Sequence, residues 1–452
     1  MLEFAGILLA MFAIGMMQII LATAMPFIVA EIGGGSLYAW VFSSYMLASL
    51  ATIPLFSKLA DIYGKRKFYL LGMGIFALGS LYGGLAPGMT HLITARVIQG
   101  LGAGIITPVA LAMITDMFPP AKRGNMIGVF GFVQLVSNLI SPPLGSFITK
   151  SMDWHWIFFL NLGMVVLSCL LMLVSGTRAS ESGQEMSFSM RPSEIDIAGG
   201  LIFGGFCGLT VYLFNMISKQ NKWDVGGWLF LLAAVIMAII LVILEKRHQN
   251  PIIKIEFLKT KVLRRSIINA ILAGAIMYGL VTILPLAGVI LSKKQGFHLN
   301  ESNLLLLFMV GITVGLLGSS RLAGKLLAGK LGSGYITKFL WGMMSISALF
   351  MIYFISIGNQ MIFNGLNVVN GLCTGGIMGA FLINSQNSVN SEDRTTLSGL
   401  IQLGRYFGAS IGVTILTGML PEVGRISGIE QFVGAFGLLV ALCGAGLVNE
   451  II

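Results

Sequence analysis

Charge is what this sequence has least of. Only 10% of its 452 residues are Asp, Glu, Lys or Arg, against 56% apolar, and a soluble protein of this length could not build an ordinary water-facing surface from so few ionised groups. Cysteine is scarce too. Cys169, Cys207, Cys373 and Cys443 all fall inside apolar runs, with no CxxC spacing and no neighbouring His, which excludes a disulfide framework and a metal site and leaves them as small packing residues. No Gly-x-x-x-x-Gly-Lys-Ser/Thr string is present, so this chain is not by itself an ATP-driven pump. Nor is there a His-rich cluster or a Ser/His/Asp set on a common face that would mark an enzyme. No cofactor is expected.

What fills the chain instead is apolar runs of about 20 residues, long enough to cross a bilayer as helices. The sequence contains fourteen, so the expected fold is an all-α integral membrane protein with 14 transmembrane helices. The first run carries Ala22-Thr23-Ala24, which looks like a cleavage box, but nothing basic precedes it and the run is long for a signal peptide, so it reads as helix 1. Six helices are expected over 1–176, a linker and an extra hairpin of helices 7 and 8 over 177–265, and six more over 266–452. The hairpin carries no residue that suggests chemistry, and its expected role is scaffold or oligomer contact.

The net charge of +10 reports topology, not an affinity for nucleic acid. With the amino terminus inside, twenty Lys and Arg fall on cytoplasmic loops or helix ends; Lys150, Lys219, Lys222, Lys293, Lys294 and Arg425 fall outside, as the positive-inside bias requires. Both termini are then cytoplasmic, in a multi-pass protein of the cell (plasma) membrane. The densest basic stretch is Ser57–Lys67, with four cations in eleven residues, in which Asp61 and Lys65 are spaced to meet across one helical turn. Trp40, Trp154, Trp156, Trp223 and Trp228 fall at outer helix ends, where an interfacial aromatic belt is expected.

Ser57–Lys67 resembles the loop between helices 2 and 3 of the major facilitator superfamily, Gly-x-Leu-Ala-Asp-Arg-x-Gly-Arg-Lys, with Ser57 for the leading Gly and Ile62 for the first Arg. Arg96-Val97-Ile98-Gln99-Gly100-Leu101-Gly102, followed by Asp116, is similar to that superfamily's Arg-x-x-Gln-Gly-x-Gly motif. Three further stretches resemble its fourteen-helix drug:proton antiporter branch: Met16–Pro26, with Met17 where the branch has Asp; Ser141–Ser146, two glycines being replaced by serine; and Asp153–Asn161, with His155 in an Arg position. Ala323–Gly332 looks like a degenerate second copy of the basic turn, as internal repeats leave. Asn390–Gly412 looks like the helix 12–13 region of the branch.

The resemblance implies two six-helix bundles plus the extra hairpin, working by alternating access, with function as a secondary active exporter of amphipathic drugs or toxic compounds in exchange for protons. The alternatives are an exporter or flippase for a lipid or anionic metabolite, and a membrane sensor that does not transport. Asp61, Gly64, Lys65, Arg66 and Asp116 form a candidate cytoplasmic gate, or else a static salt bridge. Arg96 and Arg405, the only ionisable side chains deep in predicted helices, face either a water-filled cavity or structural carbonyls. With Gln18, Ser43, Tyr45, Gln99, Gln134, Asn138, Tyr278, Asn367, Asn370 and Gln402 they make a candidate substrate cavity. Pro142, Pro143 and Gly145 are hinge candidates. All eighteen Asp and Glu lie in loops or near predicted helix ends, so the proton-coupling candidates are Asp153 and Glu31 at the rim, with Arg96. A cavity with arginines and no carboxylate should favour neutral, zwitterionic or anionic amphipaths.

Overall fold

The computed structural model describes residues 2–175, 197–220, 225–247, 257, 259–295, 302–326, 333–357, 360–389, 394–421, 426 and 428–451. Among them are fourteen α-helices and no strand. Hydrocarbon offers backbone groups no hydrogen-bond partner, so a segment that crosses it must satisfy its own N–H and C=O groups, and the helix does so within one segment. The helices are α1 (Leu2–Ile32), α2 (Tyr38–Tyr63), α3 (Lys65–Gly83), α4 (Met89–Met117), α5 (Pro120–Ser151), α6 (His155–Val174) and α7 (Ile197–Gln220). They continue as α8 (Val225–Arg247), α9 (Lys261–Gln295), α10 (Ser302–Leu326), α11 (Ser333–Ile357), α12 (Gln360–Asn387), α13 (Arg394–Gly418) and α14 (Val433–Ile451). Nine of them are long and apolar enough to cross a membrane on length and composition alone.

The basic stretch is far more helical than a loop. α2 runs on to Tyr63 and α3 begins at Lys65, so the turn is Gly64 alone, at φ +105°, a conformation that favours glycine. Asp61 therefore lies in the last turn of α2, and the helical register that would have set it opposite Lys65 is broken between them. α5 runs helically through Pro142 and Pro143, the first buried and the second exposed, with Gly145 buried one turn on.

The helices gather into two compact units, one of Met1–Leu21, Ser44–Gly208 and Ala234–Ile252, the other of Ala22–Ser43, Leu209–Ala233 and Ile253–Ile452. In lipid no hydrophobic force draws helices together, so association depends on van der Waals packing and side-chain hydrogen bonds, which small residues permit. In the first unit a Cβ on Gly100 or Gly104 of α4 would collide with the α2 backbone, at the Tyr45 and Ser49 carbonyl oxygens respectively. On another side of α4, a Cβ on Gly102 would lie 2.7 Å from the Gly72 carbonyl oxygen of α3. The second unit repeats the device: Gly408 and Gly412 of α13 press on the Ile271 and Ala275 carbonyls of α9, and Gly371 and Gly375 of α12 on Phe308 and Ile312 of α10. Tyr38 of the same unit donates to the Thr282 carbonyl at 2.8 Å.

Of the belt tryptophans, Trp156 and Trp228 are exposed and Trp40 is half-buried. Trp154 is not at the surface: it is 2% exposed, its ring stacked on His155 at 3.6 Å. Trp223 lies outside the described residues.

Gly408→Val should lower stability by about 1–3 kcal/mol, because its side chain meets backbone that cannot swing aside. Gly399→Val, whose Cβ would meet nothing within 4 Å, should be tolerated. Thermal unfolding of both variants in detergent checks this, and equal losses would show that the α9–α13 crossing is not close-packed as described.

Candidate functional site

The first unit is built around a buried cation. Arg96 stands two turns into α4 and is 1% exposed, in surroundings where a charge unsupported by its neighbours costs several kcal/mol. A ring and an amide are among the groups that support it. Its Cζ lies 4.1 Å from the centroid of the Tyr45 ring on α2, whose negative face attracts the guanidinium, and desolvation strengthens that attraction. Its Nη1 donates to Gln99 Oε1 at 2.8 Å, one turn along the same helix.

From Gln99 the hydrogen bonds leave α4. Gln99 Nε2 donates to Ser80 Oγ of α3 at 2.9 Å, and Ser80 Oγ lies 3.2 Å from Asn161 Oδ1 of α6 and 3.0 Å from the Phe76 carbonyl. Asn161 Nδ2 donates to the Ala13 carbonyl of α1 at 2.8 Å. On the other side of the cation, Gln18 Nε2 of α1 donates to the Tyr45 hydroxyl at 3.2 Å. Five helices are thus joined by side chains that are almost wholly buried. A change in what Arg96 contacts would be felt across α1, α2, α3 and α6.

At the basic end of α3, Lys65 Nζ meets Asp116 Oδ2 of α4 at 2.6 Å. The pair is 27% and 56% exposed, so water screens it and it contributes at most about 1 kcal/mol. Arg66 Nη2 donates to the Met172 carbonyl in the last turn of α6 at 2.6 Å, a favourable place for a cation. The Asp61 side chain lies outside the described residues.

Of the rim acids, Glu31 is exposed at the end of α1. Asp153 precedes α6 and holds its first residue, accepting from the His155 amide at 3.0 Å and meeting the His155 ring. Slight burial raises its pKa, but the His155 amide and ring outweigh that and hold the carboxyl below its ordinary range. The stability from this contact is therefore complete above the ordinary carboxylate pKa and is lost as pH falls through the lowered one. Asp153 stays ionised at neutral pH.

The remaining cavity candidates separate by unit. Gln134 of α5 lies where a Cβ on Gly15 of α1 would strike it, and Asn138, one turn on, is half-buried. In the second unit Ser43 Oγ lies 3.4 Å from the Ser410 carbonyl and 3.2 Å from Thr414 Oγ1. Arg405 Nη2 donates to Gln402 Oε1 at 2.6 Å, with buried Tyr278 within electrostatic range. Asn370 donates to Met351 Sδ of α11 at 2.8 Å, and Asn367 is buried with both amide atoms unpaired.

Two members of the first network, Ser80 and Asn161, are not among the cavity candidates that the sequence suggests. Asn161 closes the Asp153–Asn161 stretch, which was a usable signal; a lone Ser in an apolar helix is not. Glu450 also escaped notice. It is 4% exposed on α14 and accepts from Asn269 of α9 at 2.5 Å.

The described residues thus form a helical frame with a ring-covered arginine in one unit and an ion-paired turn at the end of its helices. A family model described as Major Facilitator Superfamily matches residues 7–196 and 195–413, and the chain belongs to that family. It is 34% identical over 285 residues to multidrug resistance protein 3 of Bacillus subtilis (strain 168), covering 62% of this chain and 54% of that protein. It is 27% identical over 418 residues to the multidrug transporter protein MdtP of the same organism, covering 91% and 73%. The chain thus spans about half the length of the first of these relatives and about three quarters of the second. Among solved structures, the POT family transporter PepTSo superposes with a TM-score of 0.68 at 13% identity, covering 99% of this chain and 96% of that one. The peptide transporter POT in complex with sulfate gives 0.66 at 18%, covering 99% and 93%. At such identities these two neighbours speak for the fold alone.

If the Tyr45 ring face holds Arg96, Tyr45→Leu should destabilise the protein by about 1–2 kcal/mol more than Tyr45→Phe, which keeps a face for the cation. Thermal unfolding of the two variants measures the difference, and equal losses would assign the effect to the hydroxyl and Gln18 instead.

Proposed function

We propose that the chain is a secondary active exporter of amphipathic drugs or toxic compounds, exchanging them for protons by alternating access in the cell membrane, with both termini cytoplasmic. The observation that carries the reading is the Arg96 network: a buried cation held by one ring and one amide, bonded onward through three further helices, inside the motif that resembles the superfamily's. Relatives named as multidrug resistance and multidrug transporter proteins support the substrate class. A cation in low dielectric is sensitive to any charge that arrives near it, so a proton or a substrate reaching Arg96 would change the balance among the helices it joins. Of Arg96, Asp153 and Glu31, Arg96 has the built surroundings for coupling, whereas Asp153 stays ionised at neutral pH and Glu31 is exposed.

The Lys65–Asp116 pair is the cytoplasmic gate in this reading, with Asp61, Gly64 and Arg66 beside it. A pair that adds little stability can open and close at small cost, which suits a latch. The bundles would be residues 1–176 and 266–452, with the hairpin between them.

Everted membrane vesicles containing the protein should take up a fluorescent amphipathic dye when a proton gradient, acid inside, is imposed. Arg96→Ala should cut that uptake at least tenfold while leaving the protein in the membrane. Uptake that ignores the gradient would remove proton exchange, and no flux of any compound in a varied panel would favour the sensor.

A further inference from the structure

Arg405 differs from Arg96 in ways that bear on what it can bind. It lies near the midpoint of α13, a helix of 25 residues, about 18 Å from either end at 1.5 Å per residue. Its backbone is pinned, because Gly274 of α9 packs directly on the Arg405 carbonyl. Its side chain is only half-buried, where Arg96 is sealed. The Tyr406 ring centroid is 5.7 Å away, a looser contact than the 4.1 Å between Arg96 and Tyr45.

A guanidinium carries five N–H donors. Here one finds Gln402 Oε1, and the buried Nε–H finds no acceptor. Among the described residues no carboxylate pairs with Arg405; the ion pairs there are Lys65–Asp116 and His155–Asp153. Among the described residues, the groups that Arg405 meets are neutral: the Gln402 amide, the Tyr406 ring and, within electrostatic range, the Tyr278 phenol. A fixed, reachable cation with spare donors and neutral neighbours calls for an anion, and the planar fork matches a carboxylate through two parallel hydrogen bonds.

We propose that Arg405, with Gln402 and Tyr278, forms a carboxylate-binding subsite in the second unit that selects anionic amphipaths over their neutral analogues. The proposal rests on the reading of the chain as an exporter of amphipaths and names the class of substrate. Gln402 holds the fork in place, its amide N–H₂ leaves a further donor for the ligand, and the tyrosine rings accept the apolar part beside the charged head.

The test is equilibrium binding of N-dansyl-11-aminoundecanoic acid and of its methyl ester to the full chain in phosphatidylcholine nanodiscs. Energy transfer from tryptophan is read above the background of empty nanodiscs. The acid should bind about ten- to hundredfold more tightly than the ester. Arg405→Gln should weaken the acid by that factor and leave the ester unchanged, whereas Arg405→Lys, which keeps the charge and loses the fork, should retain part of the preference. Equal binding of acid and ester to the wild-type chain overturns the subsite without recourse to any variant, as does an Arg405→Gln protein that keeps the full preference. A wild-type chain that shows no acid preference but keeps gradient-driven dye uptake removes the subsite and leaves export. An acid preference that disappears with Arg405 in a chain that moves no dye supports the subsite and removes export.

Discussion

Hydrocarbon gives a buried cation nothing to bond to, so the helices around Arg96 must supply everything it needs. A ring face from α2 and an amide from α4 are among what they supply, and the amide is itself held by Ser80 and, through it, Asn161. None of these partners is charged. Neutral partners hold a charge in place and leave it able to respond to another. That requirement also explains the glycines of α4, since Gly100 and Gly104 bring α2 near enough for Tyr45 to cover the cation.

The second unit meets the same requirement less completely. Its glycine-rich crossings are at least as close, with Gly408 and Gly412 on α9 and Gly371 and Gly375 on α10, but the cation they position is looser and keeps a buried donor unpaired. The two arginines therefore suit different tasks. Arg96 joins helices, while Arg405 is held ready on a rigid crossing.

Much of this was legible before any coordinate. Fourteen apolar runs became fourteen described helices because the length needed to cross hydrocarbon leaves little choice of structure. Arg96 and Gln99 could be picked out because a charge and an amide three residues apart in an apolar helix must face the same way. Ser80 could not, since a single hydroxyl in a helix more often bonds its own preceding turn and nothing in its spacing points across to Asn161. Its charge makes the stretch 57–67 look like a polar turn, yet lysines and arginines are good helix formers, and only Gly64 leaves helical geometry. Trp154 has the position of an interfacial anchor in the sequence, and nothing in the spacing points to His155 covering its ring.

The central claim is that Arg96 is present for function and not for stability, and one double variant tests it. Replacing a buried polar pair by apolar side chains of similar size is often neutral or stabilising, while removing one partner alone is costly. Arg96→Met combined with Gln99→Leu should therefore unfold at or above the wild-type temperature in detergent, and the same protein in everted vesicles should show no uptake driven by a proton gradient. A double variant that folds well and still transports at the wild-type rate would contradict the account.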